Sequence, residues 1–244
     1  MSRLYDSHCH LDDHALTDDP GVFARARAAG VTRILVPGVE PGQWRRASRL
    51  RAEPETAGVE LRFAVGLHPC FEGDLAELEG WIDRLDAVAI GEIGWDRATP
   101  FDEATVDATA DAQIELARSR ALPVIIHVVG AHGHAVERLR RHTGLRGVVH
   151  AYSGSAELVD VYVRLGLHVS IGPSVLDARA RKVASAAARV PAERLLVETD
   201  APDQTAEPAD VARVVARLAA LRDATVEAIA EQTFANAEAL FGGA

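Results

Sequence analysis

Two histidines one residue apart, His8 and His10, close the short apolar run Leu4-Tyr5-Asp6-Ser7. Read as a strand, that run sends residues i and i+2 to one face, so the two imidazoles are expected together. Two imidazoles at the exit of a strand make half of a metal site. A chance pair of surface or core histidines is the plain alternative, and the ends of the later strands decide between them. His68 follows the third apolar run, Glu92 ends the fourth, His127 the fifth, His150 the sixth and Asp200 the eighth. A single rim histidine held by a hydrogen bond would be ordinary. So many ionisable groups at one rim would be costly to bury unless they bind something. Nitrogen ligands with carboxylates, one of them able to bridge, make a binuclear site, so two divalent metal ions are expected. The chemistry of such a site is hydrolytic: two ions acidify and orient a water and stabilise charge on the attacked and leaving oxygens. Asp200 could accept the proton of that water.

These groups need a scaffold that brings strand ends together. Apolar, β-branched runs stand at Leu4–Ser7, Val31–Pro37, Leu61–Leu67, Ala87–Gly94, Pro123–His127, Arg146–His150, Leu167–Ile171 and Leu195–Asp200. Helical spacing fills Asp18–Ala29, Gln43–Glu53 (closed by Pro54), Leu75–Leu85, Asp102–Arg120, His132–His142, Ala156–Leu165 and Ala178–Ala188. Three more helices are expected at Ala209–Leu221, Ala224–Gln232 and Phe234–Phe241. Strands apolar at nearly every position are buried on both faces, as in parallel sheets. Eight such units in 244 residues, with no long linker, fit one (β/α)8 TIM barrel, taken as a single domain over residues 1–244. A doubly wound open sheet is the alternative, weakened because no Gly-x-Gly-x-x-Gly loop follows the first strand. In a barrel, active-site residues belong at the C-terminal ends of the strands, where the histidines and carboxylates stand.

Composition narrows the function classes. Hydrophobic residues make up 48% and charged residues 25%, as in ordinary soluble proteins. No apolar run approaches the roughly 20 residues of a membrane helix. The chain opens directly into a strand without the order of a signal peptide, so no membrane association is expected. Two cysteines, Cys9 and Cys70, point to a reducing, cytoplasmic compartment rather than a disulfide framework. The net charge of −10 argues against a broad basic surface for nucleic acid and leaves room for bound cations. No coiled-coil heptads or long apolar stripe announce a partner, so a monomer without an obligate protein partner is expected.

The motifs Asp6-Ser7-His8-Cys9-His10-Leu11-Asp12, Gly66-Leu67-His68-Pro69, Gly91-Glu92-Ile93-Gly94 and Ile126-His127 stand in one order with His150-Ala151-Tyr152-Ser153-Gly154 and Glu198-Thr199-Asp200-Ala201-Pro202. In that order they resemble the TatD family of metal-dependent hydrolases and deoxyribonucleases, which use an amidohydrolase-like barrel. Asn236-Ala237-Glu238-Ala239-Leu240-Phe241 looks like the closing helix of that family. The resemblance implies that His8, His10, Glu92 and Asp200 hold one ion. It implies that Glu92, His127 and His150 hold the other, with Glu92 bridging and His68 near the substrate. Related barrels bridge with a carbamylated lysine, but the only lysine, Lys182, falls in an expected helix. Zinc suits the histidines best, and the carboxylates also admit manganese, magnesium, iron or nickel.

The departures from the family pattern bear on substrate. Val129 stands where the family usually carries an arginine, and Trp95-Asp96-Arg97 replaces Leu-Asp-Tyr. The basic loop after the Glu-Thr-Asp motif is reduced to Asp203-Gln204-Thr205-Ala206-Glu207-Pro208. An arginine fork suits phosphate because it donates two parallel hydrogen bonds; here two are missing, and Asp203 and Glu207 would repel a polyanion, with Asp203 also a candidate substrate contact. Arg97 could restore one contact. His132 and His134 either start a solvated helix or reach the site, Cys9 is expected to pack, and Cys70 lines the rim or is structural. Two activities follow: a TatD-type phosphodiesterase or nuclease acting on DNA, or a hydrolase of a small amide, lactone or phosphoester. A metal-binding scaffold without catalysis is a third reading, opposed by the intact ligand set.

Overall fold

A computed structural model describes residues 2–52 and 56–242. The last residue of the third-strand-flanking helix, Glu53, and Pro54 expected to close it lie outside the described residues. Eight parallel strands follow the chain order: β1 (Leu4–Asp6), β2 (Val31–Val36), β3 (Glu60–Val65), β4 (Ala89–Asp96), β5 (Val124–Val129), β6 (Gly147–Val149), β7 (Leu167–Ile171) and β8 (Leu195–Val197). Hydrogen bonds then return β8 to β1. Ser7 N–H donates to Val197 O at 3.0 Å, Asp200 N–H to His8 O at 2.8 Å and His10 N–H to Ala201 O at 2.8 Å. The sheet thus wraps into the expected (β/α)8 TIM barrel, with the return made largely at the C-terminal, site-bearing end.

Helices α1 (His14–Thr17), α2 (Val22–Ala28), α3 (Pro41–Ala52), α4 (Leu78–Leu85) and α5 (Glu103–Ser119) surround the first half. The second half carries α6 (His132–Leu139), α7 (Ala156–Arg164), α8 (Arg181–Arg189), α9 (Val211–Leu221) and α10 (Val226–Phe241). Strand residues such as Ile34, Val36, Phe63, Val65, Ile90 and Ile126 are buried against this layer. Their neighbours Tyr5, Leu35, Ala64, Ile125, Val148 and Leu196 form a second cluster with Phe234, Leu240 and Phe241 of α10. The period-two alternation of strand side chains separates the two clusters. The inner one is the floor of the barrel.

Several boundaries differ from expectation, with β5 running past His127 to Val129 and β8 stopping at Val197 before Asp200. Three differences matter to the fold. The helix expected from Asp18 begins only at Val22, because Pro20-Gly21 interrupts it, and Asp13 caps a separate turn at His14–Thr17. The two last helices are one: Thr225 caps α10, and the Thr233 hydroxyl donates to Ile229 O at 2.8 Å. Nothing between Gln232 and Phe234 breaks the helix, since that polar side chain is satisfied within it. The third difference positions the site. Glu92 does not end β4, which continues to Asp96. Ile90 pairs with Val124 but Ile93 with Ile126, so β4 holds an extra residue in a bulge at Gly91-Glu92. Such bulges re-aim side chains next to active sites. The backbone is crowded there: Gly94 has φ +134°, and a Cβ would strike His127 O, so no other residue fits.

Candidate metal centre

Glu92 is buried at the centre of the barrel mouth, and its two oxygens face different neighbours. Nε2 of His8 and Nε2 of His10 each lie 3.1 Å from Oε1. Asp200 Oδ1 stands behind them, 3.7 Å from His8 Nε2 and 3.4 Å from His10 Nε2. On the other side, His150 Nε2 lies 2.9 Å and His127 Nδ1 3.3 Å from Oε2. Those two ring nitrogens are 3.0 Å apart. Bonds of about 2.0–2.1 Å to a tetrahedral ion place ligand atoms about 3.3 Å apart, so this donor spacing fits a divalent metal on each side of Glu92. His8-His10-Glu92 and Glu92-His127-His150 are both ligand triads of compatible spacing.

The local backbone explains the convergence. His8 and His10 lie beyond β1 rather than on it, so strand alternation does not place them. Instead the loop is stitched on both sides: Cys9 N–H donates to Leu35 O at 3.0 Å and His10 N–H to Ala201 O at 2.8 Å. Cys9 turns into the core, fully buried, which is the packing role expected of it. Asp200 adopts a left-handed backbone at φ +49°, and Gln204 Nε2 donates to its Oδ2 at 2.8 Å. Non-glycine residues in that region cluster at functional sites because the surroundings must hold them there. Below, Asp6 accepts from Thr199 N–H at 2.9 Å and from the Thr199 hydroxyl, tying β1 to the turn that carries Asp200.

The electrostatics are those of an ionised cluster. Burial works against the Glu92 carboxylate, but His150, His8, His10 and His127 hold it well below the usual carboxylate range. Asp200 is likewise held down, by His10 and His8 against the cost of burial. Burial disfavours His10 as a cation, yet hydrogen bonds to Asp200 and Glu92 push it up to about 10. His68 behaves differently. Burial drives it down to about 4, with Glu92 only partly compensating. Its Nε2 is 4.0 Å from Glu92 Oε2, and its Nδ1 accepts the Cys70 N–H at 3.2 Å. An imidazole accepting at Nδ1 carries its proton on Nε2, which places an N–H donor facing Glu92.

The six residues His8, His10, Glu92, His127, His150 and Asp200 come together in one place. His10, Glu92, His127, His150, Asp200, His68 and Asp203 line a cavity of about 360 Å³. Arg97 is not brought to it; it lies beside Gly130 and lines a neighbouring cavity with Trp95, Thr99 and His134. Nor do His132 and His134 reach the centre or face solvent freely. His132 Nδ1 lies 2.9 Å from the Tyr162 hydroxyl and His134 Nε2 2.8 Å from Asp107 Oδ1. Glu207 is paired with Arg25 at 2.5 Å, on a guanidinium that Asp19 shares, so it is not a free charge.

Several functional neighbours were not singled out from the sequence. Asp96 Oδ2 is 2.9 Å from His127 Nε2, fixing which nitrogen of that ring faces Glu92. Glu198 Oε1 lies 3.6 Å from His150 Nδ1 and accepts the Ala151 N–H at 2.5 Å. Both stand at strand ends, a position that marks them in a barrel. Asp12, Gln43, Arg46 and Phe71 also line the cavity. Arg46 and Phe71 have no comparable signal, since one lies on a helix and the other in a loop.

The model of TatD related DNase matches residues 5–242. A metal-dependent hydrolase of Escherichia coli, YjjV, is 34% identical over 99% of this chain and 98% of its own length. Its crystal structure superimposes with a TM-score of 0.84 at 32% identity, covering 100% of this chain and 99% of that one. The 3'-5' ssDNA/RNA exonuclease TatD of Edwardsiella piscicida is 35% identical over 76% of this chain and 74% of its own. A hydrolase of the TatD family from Entamoeba histolytica shares the fold at a TM-score of 0.87 and 19% identity. With its barrel and its ring of ligand-type residues, the chain belongs to the TatD family and is a hydrolase of that family.

Proposed function

We propose that the protein is a binuclear, divalent-metal-dependent phosphodiesterase acting on single-stranded DNA ends, its whole chain forming one catalytic domain. The observation that carries this reading is the division of Glu92: Oε1 faces His8 and His10, and Oε2 faces His127 and His150. In this reading His8, His10, Asp200 and Glu92 hold one ion, and Glu92, His127 and His150 the other. When bound, the ions supply Lewis acidity and an acidified water. Zinc suits this histidine-rich set, and manganese, magnesium, iron or nickel are alternatives.

The side chains perform the remaining tasks. Asp200, ionised and held by Gln204, takes up the proton lost by the attacking water. His68, neutral and with its N–H toward Glu92, donates to a phosphoryl oxygen and steadies its developing charge. Asp96 and Glu198 orient the rings of His127 and His150 from behind. The kinship with a relative named as a 3'-5' ssDNA/RNA exonuclease supports the choice of substrate. A cytoplasmic location, supported by two free cysteines, and a monomeric state complete the reading. No helix among the described residues is long and apolar enough to cross a membrane.

One observation favours a second substrate class, a small amide, lactone or phosphoester. The cavity wall carries Asp12, Asp13, Glu40 and Asp203, and Val129 stands exposed where the family pattern has arginine. Metal-reconstituted hydrolysis of single-stranded DNA beside bis(p-nitrophenyl) phosphate separates the two, with Glu92→Ala as control. Metal-dependent DNA cleavage lost in the variant is the expected result. Cleavage of the small ester alone would move the assignment to small substrates, and inactivity on both with metals bound would move it to amides and lactones.

A further inference from the structure

Arg46 is the one arginine lining the cavity among the described residues, and no lysine joins it. It lies on α3, three residues after Gln43, so both side chains share the helix face turned to the cavity. Its Nε donates to Asp12 Oδ2 at 3.2 Å. Asp12 is buried and held in turn by Gln43 Nε2, which donates to its Oδ1 at 2.8 Å and to Pro37 O at 2.8 Å. The guanidinium is therefore fixed by one edge. Among the described residues neither Nη group has a hydrogen-bond partner, and the side chain is one-third exposed.

The adjoining wall carries an exposed aromatic ring. Phe71 is 43% exposed on the cavity rim, its ring centre 5.6 Å from that of His68. Its loop abuts the start of α3, since a Cβ on Gly73 would meet Pro41. An exposed aromatic ring beside a polar site offers a face on which a base can stack. A guanidinium with its outer nitrogens free suits a phosphate, which accepts two parallel hydrogen bonds. Cavities of about 300–1,000 Å³ take single small molecules, and at about 360 Å³ this one has room for a nucleotide.

We propose that Arg46 and Phe71 form a subsite for a terminal nucleotide beside the metal centre, Arg46 taking a second phosphate and Phe71 the base. The proposal rests on the phosphodiesterase reading and names what that site grips besides the bond it cuts. It also replaces, from α3, the phosphate grip that Val129 and the loop at 203–208 lack. Asp12 serves as a positioning residue for Arg46.

Calorimetric binding to the metal-loaded protein tests it without turnover, using thymidine 3',5'-bisphosphate and thymidine 5'-monophosphate as probes. The bisphosphate is expected to bind at least about tenfold more tightly than the monophosphate, through the added charge-assisted pair. Arg46→Gln should erase that preference, while Arg46→Lys keeps part of it and shows that the helix still folds. Phe71→Ala should weaken both probes about five- to tenfold, as loss of one stacked base does, and Phe71→Tyr should not. Equal bisphosphate binding by wild type and Arg46→Gln overturns the phosphate role, and unchanged binding by Phe71→Ala overturns the stacking role. Arg46-dependent binding without any phosphodiester turnover would sink the enzymatic reading and leave the subsite standing. Turnover with Arg46-independent binding would do the reverse.

Discussion

At the floor of the barrel, Tyr5 packs between Phe234 and Phe241 at ring distances of 6.0 and 6.4 Å, with Leu35, Ile125, Val148 and Leu196 around them. At the mouth the same strands lead to His127, His150 and the turn that carries Asp200, gathered around the carboxylate of Glu92. The floor is held by apolar contact and by Asn236, whose Nδ2 donates to Ala192 O at 2.7 Å and Leu195 O at 2.8 Å. The mouth is held by hydrogen bonds between loops and by a bulge in β4. One end buries apolar surface away from water; the other buries carboxylates and imidazoles that face one another. The molecule thus separates stability from chemistry along the barrel axis. That separation can be broken experimentally.

The largest effect belongs to the mouth. Glu92→Gln keeps the shape of the side chain and removes the charge that both sides of the centre share. Turnover should fall at least about a thousandfold, equivalent to about 4 kcal/mol of transition-state stabilisation. Metal content measured by elemental analysis should drop, while the melting temperature of the metal-free protein moves by only a few degrees. Full activity in this variant would remove Glu92 from the centre of the site.

The matching test at the floor is Phe241→Ala, at a position 1% exposed. Truncating a buried phenylalanine costs about 3–5 kcal/mol through lost burial and a residual cavity. Denaturation should report that loss, while kcat of the folded enzyme stays within about twofold of wild type. A parallel drop in kcat would show the two ends to be coupled through the strands.

His168 sharpens the contrast further, because it is an ionisable group at the floor. Burial, with Arg194 and Arg146 nearby, pushes it down to about 4, against a hydrogen bond to Gly147 O at 3.3 Å. The unfolded chain takes up that proton near pH 6.5 and the native state does not. Stability is therefore complete above pH 6.5 and is lost as pH falls toward 4, by about 2 kcal/mol after allowing for solvent screening. His168→Gln should flatten that part of the stability profile measured by urea denaturation. An unaltered slope would place the acid-labile group elsewhere.

How much of this was legible in the sequence differs between the two ends. The floor and the barrel follow from apolar periodicity, because every strand must bury both faces. The candidate ligands follow from their types near strand ends, since His8, His10, His127, His150 and Asp200 stand where a parallel barrel exposes its chemistry. Local backbone was not legible. The bulge that turns Glu92 inward depends on the pairing of β4 with β5, and pairing is a property of two segments. Arg46 and Phe71 were invisible for the same reason: nothing in a helix or loop sequence says which cavity it borders. Arg97 shows the converse, a suggestive side chain next to the right motif that the fold turns into another cavity.

The smallest effect tests the character of the mouth itself. Burial raises the Asp203 carboxyl, opposed by His10 and reinforced by Asp200 and Glu92, so its charge is already disfavoured where it stands. Beside a site built to accept a phosphodiester, that carboxylate repels the ligand; beside a site for a neutral or cationic molecule it attracts it. Asp203→Asn removes the charge without changing the volume, and a partly exposed charge at this range is worth about 0.5–1 kcal/mol. KM for single-stranded DNA should fall about two- to fivefold, with kcat nearly constant and the gain shrinking as salt is added. If KM for DNA instead rises, Asp203 serves ligand binding directly, and the acidic wall of the mouth is part of its recognition rather than a residue tolerated at its edge.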